Sequence, residues 1–237
     1  MSVYTKDSRL SEPIMRDPSI IPVINRFGIS LGVGDLAIKN ICMEKGIDAD
    51  FFLAVVNTYM NQDYFPEGTA LSTHLVRLIE FLDKTDRYYR DVQLPNIERH
   101  FNFLLRESME SESDGHSNLK LLNGFFCEVK EELQASISND LKHWFPLLLD
   151  NPEKAREEIA VLTAHGNNVQ ENIRLPFSNH NLEDKIRDLI AFFVIHLKGN
   201  YDKNLCVAVI MAVFNLEKDI KQNNRIRERI LKPLCLK

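Results

Sequence analysis

Asp140 and His143 stand three residues apart in a stretch with helical periodicity, and His180 has an acidic residue, Asp184, four places on. Spacings of three and four put side chains on one helix face, and metal sites in helix bundles are assembled from such pairs. Neither pair has further partners at ligand spacing. Asp140 and His143 are therefore expected to form a surface or capping pair, and Asp184 to be a first-turn helix charge. His74, His100, His116 and His196 show no ligand spacing, and His165 is expected to be a hydrogen-bonded core histidine. The four cysteines, Cys42, Cys127, Cys206 and Cys235, include no C-x-x-C pair, which argues for reduced thiols rather than a disulfide framework or a zinc site. Cys42 and Cys127 fall on apolar faces, and Cys235 is expected to be the most open to oxidation. There is no H-E-x-x-H and no Gly-rich phosphate loop, and no Ser/His/Asp or Cys/His set can be assembled from spacing. The residues thus give no catalytic group and no cofactor site, and the chain is expected not to be an enzyme.

The elements that carry these residues are helical. The 237 residues are 44% hydrophobic and 27% charged, as in ordinary soluble globular proteins, with only nine glycines and nine prolines. The formal charge of −5 gives no electrostatic footprint for phosphate backbones, so direct nucleic-acid binding is not expected, although Arg225, Arg227, Arg229 and Lys232 form a local basic run. The N-terminus lacks a signal-peptide core, and the apolar runs 189–197 and 205–216 are too short to span a membrane. A cytoplasmic location is expected.

Short helices are expected over 19–26, from a cap at Asp35 to Gly46, and from Asp48 onward, the last burying Phe51, Phe52, Val55, Val56 and Tyr59. A linker over 61–68 precedes long periodic helices: one over 72–91, one starting at Pro95, and one from Leu119 to about Phe145. A further helix is capped at Asn151-Pro152, and two more cover 182–198 and 203–231. The segments 108–117 and 175–180 are expected as loops. With no alternating strand pattern, the fold class is all-α, with a small helical domain over 1–62 and a helix bundle over 69–237.

Two segments carry a family resemblance. Phe27-Gly28-Ile29-Ser30-Leu31, followed by Gly34, Cys42 and Glu44-Lys45-Gly46-Ile47-Asp48, resembles the small leading domain of the ScdA family, di-iron proteins linked to repair of iron–sulfur clusters. Gly32 and Val33 stand where that family has adjacent cysteines, so thiol chemistry is absent there. The remainder resembles the family's hemerythrin-like bundle, through Leu94-Pro95, Trp144-Phe145-Pro146, Ala164-His165-Gly166 and the closing Ile230-Leu231-Lys232-Pro233. The resemblance implies that the bundle over 69–237 is an up-down four-helix bundle. On that frame the iron-ligand places are taken by Arg87, Ser136, Asp140, His165, Asn223 and Arg227. An arginine cannot ligate a metal and repels cations. The resemblance therefore implies a bundle that has lost its iron, with Asp140 paired to Arg227 or Arg87 and the rest completing a polar core cluster in place of metal.

The function expected from this is a metal-free regulatory or interaction protein in stress or redox signalling. The partner that the resemblance implies is a helix-turn-helix transcription regulator. Two alternatives stay open: an active di-iron repair protein, and a small-molecule sensor that uses the vacated metal cavity.

Overall fold

The computed structural model describes residues 3–66, 74–108, 114–165, 174–177 and 179–236. Among these the regular elements are helices, and one isolated antiparallel bridge joins Arg9 and Ala37. The helices are α1 (Ser11–Arg16), α2 (Ile21–Arg26), α3 (Ile38–Lys45), α4 (Ala49–Met60), α5 (Leu75–Tyr88), α6 (Leu94–Ser108), α7 (Asp114–Asn139), α8 (Phe145–Asp150), α9 (Pro152–His165), α10 (His180–His196), α11 (Lys203–Ile226) and α12 (Lys232–Cys235). No helix among the described residues is long and apolar enough to cross a membrane.

The chain divides into two compact units that do not follow the expected boundary at 62–69. One gathers 1–85, 140–178 and 222–237; the other gathers 86–139 and 179–221. The reason lies in the core. Leu10, Ile20, Phe52, Val55 and Tyr59 are buried in one apolar cluster with Leu78, Leu82, Trp144, Ile159, Ile230 and Leu231. The leading helices thus complete a core that the later segments share.

In this first unit, the backbone at Tyr4 is fixed to α4 by a reciprocal pair of hydrogen bonds to the Asn57 side chain. The Tyr4 N–H donates to Asn57 Oδ1 at 2.8 Å, and Asn57 Nδ2 donates to the Tyr4 carbonyl at 2.9 Å. The helix expected from a cap at Asp35 begins only at Ile38, because the Leu36 carbonyl accepts from the Leu10 amide and the Ile38 amide donates to the Ser8 carbonyl, holding 36–37 out of the helix. Gly46 ends α3 in the left-handed conformation at φ 66°, and Asp48 caps α4 by accepting from the amides of Asp50 and Phe51.

In the second unit, α7 buries Leu119, Leu122, Phe126, Val129, Leu133 and Ile137, and α11 buries Cys206, Val209, Val213, Leu216 and Ile220. Both stripes alternate in threes and fours, the spacing that keeps one face of a helix against its neighbours. Phe101 of α6 stacks on Phe126 of α7 at 5.1 Å and meets Phe193 of α10 at 5.7 Å. Asp114 to Ser117, expected in a loop, are the first turn of α7; residues 109–113 lie outside the described set.

Three of the helical stretches share a local device. Tyr89–Gln93, Asp140–Trp144 and Arg227–Leu231 are π-helical, and each runs without interruption into α6, α8 or α12. A proline stands at the second position of each following helix: Pro95, Pro146 and Pro233. A proline inside a helix lacks an N–H and its ring collides with the carbonyl four residues back. A wider turn avoids that collision, with the Leu94 amide reaching Tyr89 O and the Lys232 amide reaching Arg227 O. Pro95 therefore does not start a helix, as its sequence position suggests, but is carried within one.

Candidate functional site

The first residue of each π turn is buried: Tyr89, Asp140 and Arg227 are 1%, 3% and 5% exposed. Two of them meet inside the first unit. Arg227 Nη1 donates to Asp140 Oδ2 at 2.6 Å and to the Pro176 carbonyl at 3.1 Å. The Phe145 ring lies 5.9 Å from the guanidinium carbon. Trp144, the last residue of the π turn that begins at Asp140, is fully buried, and its indole N–H donates to the Arg174 carbonyl at 2.6 Å. Asn223, one turn before Arg227, is also buried, and its Oδ1 has no hydrogen-bond partner among the described residues.

The other expected members of the cluster are placed differently. Arg87 is exposed, because the inward stripe of α5 runs through Leu78, Leu82 and Thr85 to Tyr89 and leaves position 87 on the outer side. Ser136 is half-buried on α7, in the second unit. His165 ends α9, and its side chain, with Gly166, lies outside the described residues. Spacing from the prolines carries the signal that the Arg87 assignment lacks. The offsets that pick out Ser136 and Asp140 before Pro146, and Asn223 and Arg227 before Pro233, select Thr85 and Tyr89 before Pro95. Both are buried, and the Thr85 hydroxyl donates to the Phe81 carbonyl at 2.9 Å.

Gly32 is exposed and takes φ 92°, in the region that favours glycine, although nothing stands within 4 Å of where a Cβ would lie. Backbone conformation rather than space therefore disfavours a cysteine there. Val33 packs, half-buried, against the core.

The histidine pairs read from spacing have other partners. His143 Nε2 meets Glu158 Oε1 at 2.6 Å, across to α9. His180 Nδ1 faces Glu183 at 3.6 Å, while Asp184 pairs with Arg187 at 3.0 Å. The basic run of the last helix is spent internally. Arg225 donates to the Thr58 and Tyr59 carbonyls at the end of α4, and Arg229 donates to the Tyr64 and Gln62 carbonyls. Lys232 pairs with Glu228 at 2.9 Å. These arginines satisfy the orphan carbonyls at the end of α4 and the chain after it.

Three of the four thiols are buried. Burial pushes the Cys235 thiol up to about 12 and the Cys42 thiol, with help from the Asp48 charge, to about 11. Cys235, expected to be the most open to oxidation, is only 2% exposed; Cys127 is half-buried.

A di-iron centre needs imidazoles and bridging carboxylates converging from several helices. Among the described residues no group of three or more His, Cys, Asp or Glu side chains is placed to hold a metal ion. At Asp140 the carboxylate is engaged by a guanidinium that stays protonated. The described residues around the pair do not fit such a centre. The pair ties the π turn that begins at Asp140 to the π turn that begins at Arg227. Comparison with protein-family models, characterised proteins and solved structures finds no match to this chain.

Proposed function

We propose that this chain is a metal-free, hemerythrin-like helical bundle that acts as a regulatory or protein-interaction protein rather than an enzyme. The observation that carries the reading is the buried Asp140–Arg227 pair. The first residues of two of the π segments, where the resemblance expects iron ligands, form instead a closed ion pair backed by a backbone carbonyl. Such a pair contributes to the register between helices and leaves no open coordination position. Iron analysis of protein purified from iron-supplemented cells tests it. Less than stoichiometric iron and no visible absorption band are expected; a di-iron complement with an oxo-bridged band overturns the reading.

Action through a protein partner is supported by α11. Val207, Met211 and Phe214 recur at helical spacing there and are 58%, 53% and 41% exposed, an apolar stripe on the outer side of the helix. The resemblance points to a helix-turn-helix regulator as that partner, in stress or redox signalling within the cytoplasm. Pull-down from extract of the native cells, with wild type and with Met211→Glu plus Phe214→Glu, is the test. A regulator retained by wild type and lost by the variant is expected; equal retention removes the stripe from the interface.

A further inference from the structure

Within the first unit a cleft of about 260 Å³ opens between the end of α2, the turn joining α3 to α4, and the first half of α5. One side is aromatic. Phe27 lies against Phe51 at 5.8 Å and Phe81 at 5.1 Å, and the last two rings are almost wholly buried. The other side is cationic: Arg26, Lys45, Arg77 and Lys84 line it, against the carboxylates of Asp48 and Glu80. Asp48 is already saturated by the amides of Asp50 and Phe51, at 3.0 Å each, and by Arg77 Nη1 at 2.8 Å. Arg26, only 7% exposed, also lines the cleft. Lys84 and Lys45 are exposed, the latter 3.5 Å from the Glu44 carboxylate. This cationic wall belongs to a chain whose overall charge is −5, so it is a local reversal of sign. Concave sites with an apolar side and a few convergent polar groups are where small ligands bind, and this cleft is at the small end of that range.

We propose that the cleft binds a small organic anion, an aryl carboxylate or aryl phosphate, with its ring on the Phe27–Phe51–Phe81 side and its charged head toward the arginines and lysines. Phe27, the half-buried ring of that side, offers the apolar contact and the cationic side sets the sign of the ligand. Binding here does not depend on whether the protein holds a metal, because the cleft shares no residue with the Asp140–Arg227 pair.

Calorimetric titration of the full chain at low ionic strength tests the site, with phenyl phosphate, benzoate, inorganic phosphate and benzylamine as probes. At least one aryl anion is expected to bind, about tenfold tighter than inorganic phosphate, while benzylamine gives no heat of binding. Lys45→Ala with Lys84→Ala removes two exposed charges without touching the core. It is expected to weaken the aryl anion by roughly three- to tenfold at unchanged thermal stability. Phe27→Leu is expected to reduce the preference for aryl over inorganic phosphate. The proposal is overturned if neither aryl anion binds at low millimolar concentration, if benzylamine or inorganic phosphate binds as well as phenyl phosphate, or if the double lysine variant binds as tightly as wild type.

Discussion

A guanidinium buried beside a carboxylate is costly to leave half made. Arg227 and Asp140 are 6% and 4% exposed in their side chains, so removing either strands a charge in the interior. Arg227→Met is expected to lower unfolding free energy by about 3–5 kcal/mol, measured by urea denaturation, whereas Arg227→Met with Asp140→Leu recovers most of that loss. Equal destabilisation by the single and double changes would show that the pair is not acting as a unit. The thiols give a second expectation. With burial holding Cys42 and Cys235 well above neutrality, a maleimide at pH 7 is expected to modify half-buried Cys127 before either, as located by peptide mass mapping. The types of these residues were legible in the chain, but their partners were not. Asp140 and Arg227 are 87 residues apart, and nothing local to either distinguishes a buried pair from two solvated charges.

At the scale of elements, the start of α4 is set by a single side chain. Burial alone would raise the Asp48 carboxyl. The Phe51 amide, the His74 and Arg77 charges and the Asp50 amide outweigh it and hold the carboxyl below its ordinary range. A carboxylate depressed in the folded state stabilises above its unfolded pKa, and that contribution is lost as pH falls through the folded value. Asp48→Ala is expected to cost about 1 kcal/mol near neutrality and to flatten the acid limb of a stability-versus-pH profile below about pH 4. An unchanged acid limb would remove Asp48 from the acid-sensitive groups. Helix positions were legible because the apolar stripes of α4, α7 and α11 repeat with the helical period. The starts near Asp35 and Pro95 were misread because non-local backbone bonds hold 36–37 out of the helix, and because a π turn absorbs a proline that an α turn would not. The proline spacing that marks all three π turns was present in the chain, and it is the signal that favours Tyr89 over Arg87.

For the whole molecule, the shared core of the first unit decides what can fold alone. Phe52, Val55 and Tyr59 lie in one cluster with Trp144, Ile230 and Leu231, so the boundary at 62–69 cuts through a core rather than between two. A fragment covering 69–237 is expected to lose cooperative thermal unfolding and to bind a hydrophobic dye. A sharp two-state transition in the fragment would show that this core does not need its leading helices.

The amino-acid sequence by itself determined that the chain is helical and where most helices lie. Helical periodicity, caps and prolines act over a few residues and are written locally. Only the tertiary structure decided that Arg227 takes Asp140, that Arg225 and Arg229 are used on the carbonyls around the end of α4, and that four cations and three phenylalanines enclose one cleft. Each of those outcomes depends on packing between segments far apart in the chain, where burial and distance, rather than residue type, set the balance between solvation and pairing.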